Sequence, residues 1–354
     1  MTVPTSEMVE ALRRLVEVES GSRDPAGVAR CADLIQDLCE ELLGSRPDRA
    51  EPNLVWRRQG ERPVLLLCHF DTVWPAGTLE QFPYTVEDGV ARGPGAFDMK
   101  AGIVQTLYAV RETTGPVVIL FTADEEIGSA TSRALIEEEA ARARAVLVTE
   151  PAEGTAVKVA RKGVAVWRLE VHGRAAHAGL EPEKGVNAIA ELARLILDIE
   201  RLARPEEGTT LTVTMITGGS ADNVVPESAQ CAIDGRMWTL EEAERIQREL
   251  ASLPAKTPEA RLELSGGLNR GPLERVASEA LYQRLVALGY DVGAAEVGGA
   301  SDGNFTAALG VPTLDGLGAV GGGAHSRDEH VLVEEMPRRA EMLARLIEDV
   351  LADT

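Results

Sequence analysis

The chain has 354 residues, with 57 Asp and Glu against 36 Lys and Arg, and a formal net charge of −21. Its hydrophobic content of 44% and charged content of 26% are those of a globular protein with room for two domains. Such an acidic surface repels nucleic acid and anionic membrane, so neither is expected as a partner, whereas a small substrate can still find a locally positive pocket.

Residues 6–20 and 26–43 show helical apolar spacing, with Gly44 as the stop. The N-terminal stretch mixes acids with its apolar positions and lacks the basic-then-apolar design of a secretory signal. No apolar run reaches membrane-spanning length, so a cytoplasmic location is expected. Cys31, Cys39, Cys68 and Cys231 have no CxxC spacing and read as reduced thiols. Residues 63–68 form a continuous apolar run, as in a strand covered on both faces. "GAFDMKAGIVQTLYAV" then opens a helix, "PVVILFTADEE" is a second buried strand, and a helix at 129–142 leads to a third, "AVLVTEP". Strands alternating with helices predict an α/β domain with a mostly parallel sheet.

The texture then changes. "VAVWRLEVHG" alternates as a half-exposed antiparallel strand does, and a helix follows at 186–203. The strands "TTLTVTMITGG" and "ESAQCAIDGRMW", a helix at 240–251 and the strand "RLELSGG" complete the β-α-β-β-α-β order of a ferredoxin-like unit. From residue 271 the α/β texture returns and closes with a helix at 335–351. The organisation expected is a discontinuous α/β domain, 1–162 and 271–354, interrupted by an inserted α+β domain at 163–270. The insert reads as a lid hinged near 163 and 270, and as a homodimerisation surface, because its open sheet edge needs covering. Lys158, Arg161 and Lys162 read as solvated charge, and "GLGAVGGGAH" reads as a loop.

In an open α/β sheet, ligands sit beyond the carboxyl ends of the strands. His69 with Asp71, Asp98, Glu125 with Glu126, and Glu150 all fall at such ends, and His325 lies in a late loop. Each alone has an ordinary explanation: Asp98 as a helix cap, Glu125 and Glu126 as a solvated turn. Together they are the donor set of a two-metal site, in which imidazole and carboxylate suit zinc, with cobalt or manganese as alternatives. Asp71, two residues beyond His69 on an extended chain, can take the other ring proton of that histidine. Of the adjacent Glu125 and Glu126, one can bind metal while the other faces substrate as a general base.

The ordered series "HFDTVWPAGT", "GPGAFDMKAG", "TADEEIGS", "VTEP", "GRAAHAG" and "GGGAHSRDEH" resembles the dizinc metallopeptidase family of glutamate carboxypeptidase, aminoacylase, acetylornithine deacetylase and succinyl-diaminopimelate desuccinylase. "HFDTVWPAGT" and "RGPGAFDMK" are most similar to the glutamate carboxypeptidase branch. The resemblance implies two zinc ions per subunit: His69 and Glu150 on one, Glu126 and His325 on the other, and Asp98 bridging. It also implies Asp71 orienting His69, a cis Asp98–Met99 peptide bond, and Glu125 as the base that takes a proton from the attacking water.

On the inserted domain the resemblance implies that His177 reaches the active site of a neighbouring subunit and steadies an oxyanion. It places Asn223 and Arg236 on the substrate, the latter gripping an α-carboxylate. Arg270, at the return hinge, is a second carboxylate-binding candidate. "GGASDGN" resembles a substrate-lining loop, which makes Ser301 a substrate contact. The function expected is a metallo-carboxypeptidase cleaving the amide bond of a C-terminal amino acid such as glutamate. An N-acyl amino acid deacylase and a di- or tripeptidase would use the same site. A non-catalytic amino-acid- or metal-binding protein is the alternative of another class, and the presence of Glu125 argues against it.

Overall fold

A computed structural model describes residues 4–352. The chain divides into two compact units. One runs up to Ala160 and resumes at Leu273–Val297 and again from Ser301; the other comprises Arg161–Pro272 with Gly298–Ala300.

The first unit is built on a six-stranded sheet. Its strand order is Asp48–Ala50, Asn53–Arg58, Val117–Thr122, Val64–His69, Ala145–Val148, Thr313–Leu314. The three apolar runs read as buried strands are fully buried and mutually parallel. Alternate residues feed opposite faces. Leu65, Leu67, Leu120 and Val146 pack with Ile136 and Phe305, while Leu66, Cys68, Phe121 and Leu147 pack with Leu12, Ile35, Leu107 and Leu343. Helices therefore cover both faces, and each buried leucine contributes about 2 kcal/mol. The register places His69 opposite Thr122 and Leu67 opposite Val148, so these strands end within two residues of one another and release their next residues at one edge.

Several elements depart from the sequence reading. The first helix, Thr5–Val16, stops short because the chain turns into the sheet: Ser20 donates its hydroxyl to the Phe70 carbonyl, and Gly21 bridges to Thr72. Asn53–Arg58 adds an antiparallel strand beside Val117–Thr122. The glycine-rich segment near 320 is more than a loop. Gly321–Gly322 and His330–Leu332 pair as a hairpin, which extends through Val90–Arg92 to Thr85–Glu87. The basic stretch is not solvated, since Lys158 and Arg161 are buried. All four cysteines are free and buried.

The second unit has the antiparallel order Thr210–Gly218, Ser228–Met237, Gly163–His172, Arg261–Arg270. In order of appearance the strands lie 2-3-1-4, the arrangement a split β-α-β core produces. Trp167, Leu169 and Val171 meet Leu192, Leu195 and Ile246 of the helices Ala188–Glu200 and Leu240–Ala251. Asn187 and Thr239 cap these helices by accepting from Ala190 N–H and Glu242 N–H. Among the described residues, no helix is long and apolar enough to cross a membrane.

One glycine ties fold to site. Gly102 opens the helix Ala101–Arg111, and a methyl group there would run into the Thr149 carbonyl, one residue before Glu150. Gly102→Ala should destabilise the protein by about 1–3 kcal/mol, the cost of overpacking, as read by denaturant unfolding. A variant as stable as the parent contradicts this packing.

Candidate metal centre

The neighbouring strand ends bring the site together. His69 is the last residue of Val64–His69; Glu125 and Glu126 follow Val117–Thr122 by a short turn; Glu150 follows Ala145–Val148 by two residues. Asp98 arrives from the side. Ala96–Lys100 is a wide turn in which Asp98 has non-helical angles, and regular helix begins only at Ala101. Asp98 makes no side-chain cap; it faces the imidazoles, and the Asp98–Met99 peptide bond is cis. His325 is carried by the hairpin at 321–332 in a left-handed conformation, φ 61°, which residues with a side chain seldom adopt.

Asp98 stands between two triads of donors. Its Oδ1 is 3.2 Å from His69 Nε2, which is 3.3 Å from Glu150 Oε1. Its Oδ2 is 3.4 Å from His325 Nε2, which is 3.2 Å from Glu126 Oε1. For a tetrahedral ion with bonds of 2.0–2.1 Å, donors lie about 3.3 Å apart, so the two imidazole-to-carboxylate edges of each triad already have the length found in a zinc site. Each triad also supplies three donors and leaves a fourth position open, as catalytic rather than structural zinc sites do. The imidazole-plus-carboxylate chemistry and the spacing both fit a pair of divalent ions. His69, Asp98 and Glu126 also satisfy a common ligand geometry, their ligand atoms lying within 4.8 Å of one another.

Two further carboxylates hold the frame. Asp71 is fully buried; Ser22 O–H (2.6 Å), Glu125 N–H (3.1 Å) and Glu126 N–H (3.2 Å) all donate to it. Its carboxylate lies 3.5 Å from His69 Nδ1, while its main-chain carbonyl lies closer, at 3.0 Å. Orientation of that ring therefore comes from the Asp71 backbone as well as its side chain. Glu329, which the sequence reading did not single out, is also fully buried and accepts from Trp74 and from three amides of the Asp98 turn. Burial pushes its carboxyl group up. Its only signal in the sequence was an acid within "HSRDEH".

The remaining expected site residues are placed differently. Ser301 is fully buried and donates its hydroxyl to Asp315 at 2.6 Å, so its side chain is spent inside the fold rather than presented to a substrate. Arg236 already grips both oxygens of Asp234, at 2.9 and 3.0 Å, and a ligand carboxylate would have to compete with that pair. Arg270 is buried at the end of its strand, beside Val164. His177 and Asn223 lie together on exposed loops: Ala178 N–H donates to the Asn223 carbonyl, and His177 Nδ1 accepts from Gly179 N–H. They meet near the Ser228 end of Ser228–Met237, whereas Arg236 sits at its other end.

Electrostatics bind the two triads. For His69, burial works against the charged ring, but Asp71, Asp98 and Glu150 outweigh it and hold the pKa well above the usual value. Asp98 and Glu126 raise His325 to about 10. Burial opposes ionisation of Asp98, yet His325 and His69 bring its pKa below the ordinary carboxylate value.

Residues 65–349 match the family model described as peptidase family M20/M25/M40. The chain is 32% identical to carboxypeptidase G2 of Pseudomonas sp. (strain RS-16), covering 97% of this chain and 89% of that protein. It is 28% identical to a succinyl-diaminopimelate desuccinylase of Dechloromonas aromatica, over 97% of this chain and 98% of the relative. Among solved structures, an aminopeptidase PepT from Bacillus cereus superposes with a TM-score of 0.81 over 99% of both chains at 23% identity, a likeness of fold.

A metal ion takes the neutral imidazole lone pair, so both rings must shed a proton on loading. In the metal-free protein the raised pKa of His325 stabilises the fold fully below pH 6.5, and that contribution is lost as pH rises through about 10. Zinc binding at pH 7 should release about two protons, read by calorimetry in buffers of different ionisation enthalpy. Release near zero contradicts this assignment.

Proposed function

The chain belongs to peptidase family M20/M25/M40 and is a metallopeptidase or amidohydrolase, and from this premise we propose that it is a zinc-dependent carboxypeptidase releasing a C-terminal glutamate or similar amino acid. The observation that carries the reading is the pair of donor triads sharing Asp98, with Glu125 adjacent in sequence to one triad yet a member of neither. On this reading His69, Glu150, Asp98, Glu126 and His325 hold two divalent cations. When bound, such ions acidify water and polarise a carbonyl oxygen.

The residues of this chain do the rest. The Glu125 and Glu126 amides both donate to Asp71, so the turn bearing the base is anchored to the same residue that positions His69. Glu125 takes the proton of the attacking water and returns it to the departing amine. The fully buried strand ends beneath exclude bulk water, which strengthens every charge interaction above them. We assign Arg236 to the amino acid's carboxylate, with Arg270 as a second candidate, and His177 to the oxyanion at a partner subunit's centre, with Asn223, which lies beside it, on the substrate there. Dimerisation is proposed through the edge strand Thr210–Gly218, where Met215 and Ile216 are exposed apolar side chains on an unpaired edge. Likeness to a desuccinylase supports a second reading, hydrolysis of an N-acyl amino acid by the same centre.

Glu125→Gln should keep its zinc and lose activity about 10²–10⁴-fold, measured as kcat on N-benzoylglutamate alongside metal analysis. Activity that survives this change, or survives thorough chelation, contradicts the reading. Higher kcat/KM on N-succinyl or N-acetyl amino acids than on peptidyl- and benzoylglutamate would favour the deacylase reading.

A further inference from the structure

We propose that Glu329 is a positioning residue of the metal centre: its carboxylate fixes the turn that presents Asp98, and so sets the separation of the two donor triads. The proposal rests on Asp98 bridging two ions. Oε1 accepts from Phe97 N–H and Asp98 N–H, each at 3.0 Å, and Oε2 accepts from Gly95 N–H at 3.0 Å and Trp74 Nε1–H at 2.8 Å. A carboxylate offers about four lone-pair sites, and here all four are taken by N–H donors. Glu329 therefore has no lone pair to spare for a cation, although it lies within bonding reach of a ligand's backbone. It is a hub for amides rather than a sixth metal ligand.

The arrangement explains how an acid is buried here by hydrogen bonds to N–H groups. The amide groups of Gly95, Phe97 and Asp98, at a turn that is neither regular helix nor strand, need partners, and unpaired buried N–H groups are costly. One carboxylate satisfies all three through charge-assisted bonds, which are short and directional. Glu329 is itself fixed from the other side, because the next residue, His330, pairs with Arg92 in the small sheet that also carries the His325 hairpin. One buried group thus joins the segment bearing Asp98 to the segment bearing His325. The Trp74 indole extends the same hold to the loop that follows Asp71, where its ring packs on Phe82 with centroids 5.6 Å apart.

Glutamine at this position keeps the shape but turns two acceptor sites into donors that face N–H groups. Glu329→Gln should weaken zinc binding about 10–100-fold, the usual effect of losing a group that orients a ligand. Trp74→Phe, which removes one donor remote from Asp98 and keeps the ring, should weaken it much less. Zinc affinity is measured by chelator competition on the full chain, with the melting temperature of the metal-free protein in parallel and kcat at limiting and at excess zinc. The proposal expects lower affinity, little change in metal-free melting, and kcat for Glu329→Gln that recovers at excess zinc with KM unaltered. A lower metal-free melting temperature with parental zinc affinity would make Glu329 merely structural and overturn it. So would equal losses in Glu329→Gln and Trp74→Phe. Parent protein that binds no zinc sinks the two-metal reading itself, and the proposal with it.

Discussion

The structure turns on the burial of like charges around Asp98. Three carboxylates, Asp98, Glu126 and Glu150, converge on two imidazoles at the ends of fully buried parallel strands. Two unit charges of one sign about 4 Å apart repel by about 4 kcal/mol near a protein surface. A fold accepts such a cluster only where positive charge compensates it. Protons on His69 and His325 supply part of that compensation in the metal-free chain, and a pair of divalent ions would supply it fully. Asp71 and Glu329 play the complementary part. Their oxygens are taken by hydroxyl and amide donors, so they spend their charge on ordering the backbone that aims the metal-facing groups.

The parallel sheet makes this convergence cheap in conformational terms. Neighbouring parallel strands end at one edge, and an exit of at most four residues places an acid or imidazole there. The hairpin at 321–332 brings the last donor from the far end of the sequence, anchored by antiparallel pairing to Val90–Arg92. Gly102 lets the helix that follows Asp98 press against the exit carrying Glu150. Packing and chemistry are thus specified by the same few backbone contacts.

Much of this was legible in the sequence. Long apolar runs announced buried strands, and polar residues where those runs end pointed to a site, because burying them without partners would be costly. Legibility failed where the determining contact is distant or the element is short. The two-residue strand Gly321–Gly322 has no periodicity to read, and its partner, His330–Leu332, is itself held by Val90–Arg92, more than 200 positions away. Asp98, read as a metal ligand, also had an ordinary reading as a helix cap, because the chain resumes a helix just after it; tertiary contact turns it towards the imidazoles. The local partners of Ser301 and Arg236, Asp315 and Asp234, are invisible until the backbone is placed. Lys158 and Arg161 looked solvated because charge runs usually are, yet their strand is buried throughout.

The most direct test of the account is anomalous diffraction from crystals of the zinc-loaded protein, recorded on both sides of the zinc absorption edge. Two peaks flanking the Asp98 carboxylate, one beside His69 and Glu150 and the other beside His325 and Glu126, are the predicted result. A single peak remote from Asp98, or none at full zinc loading, would contradict it.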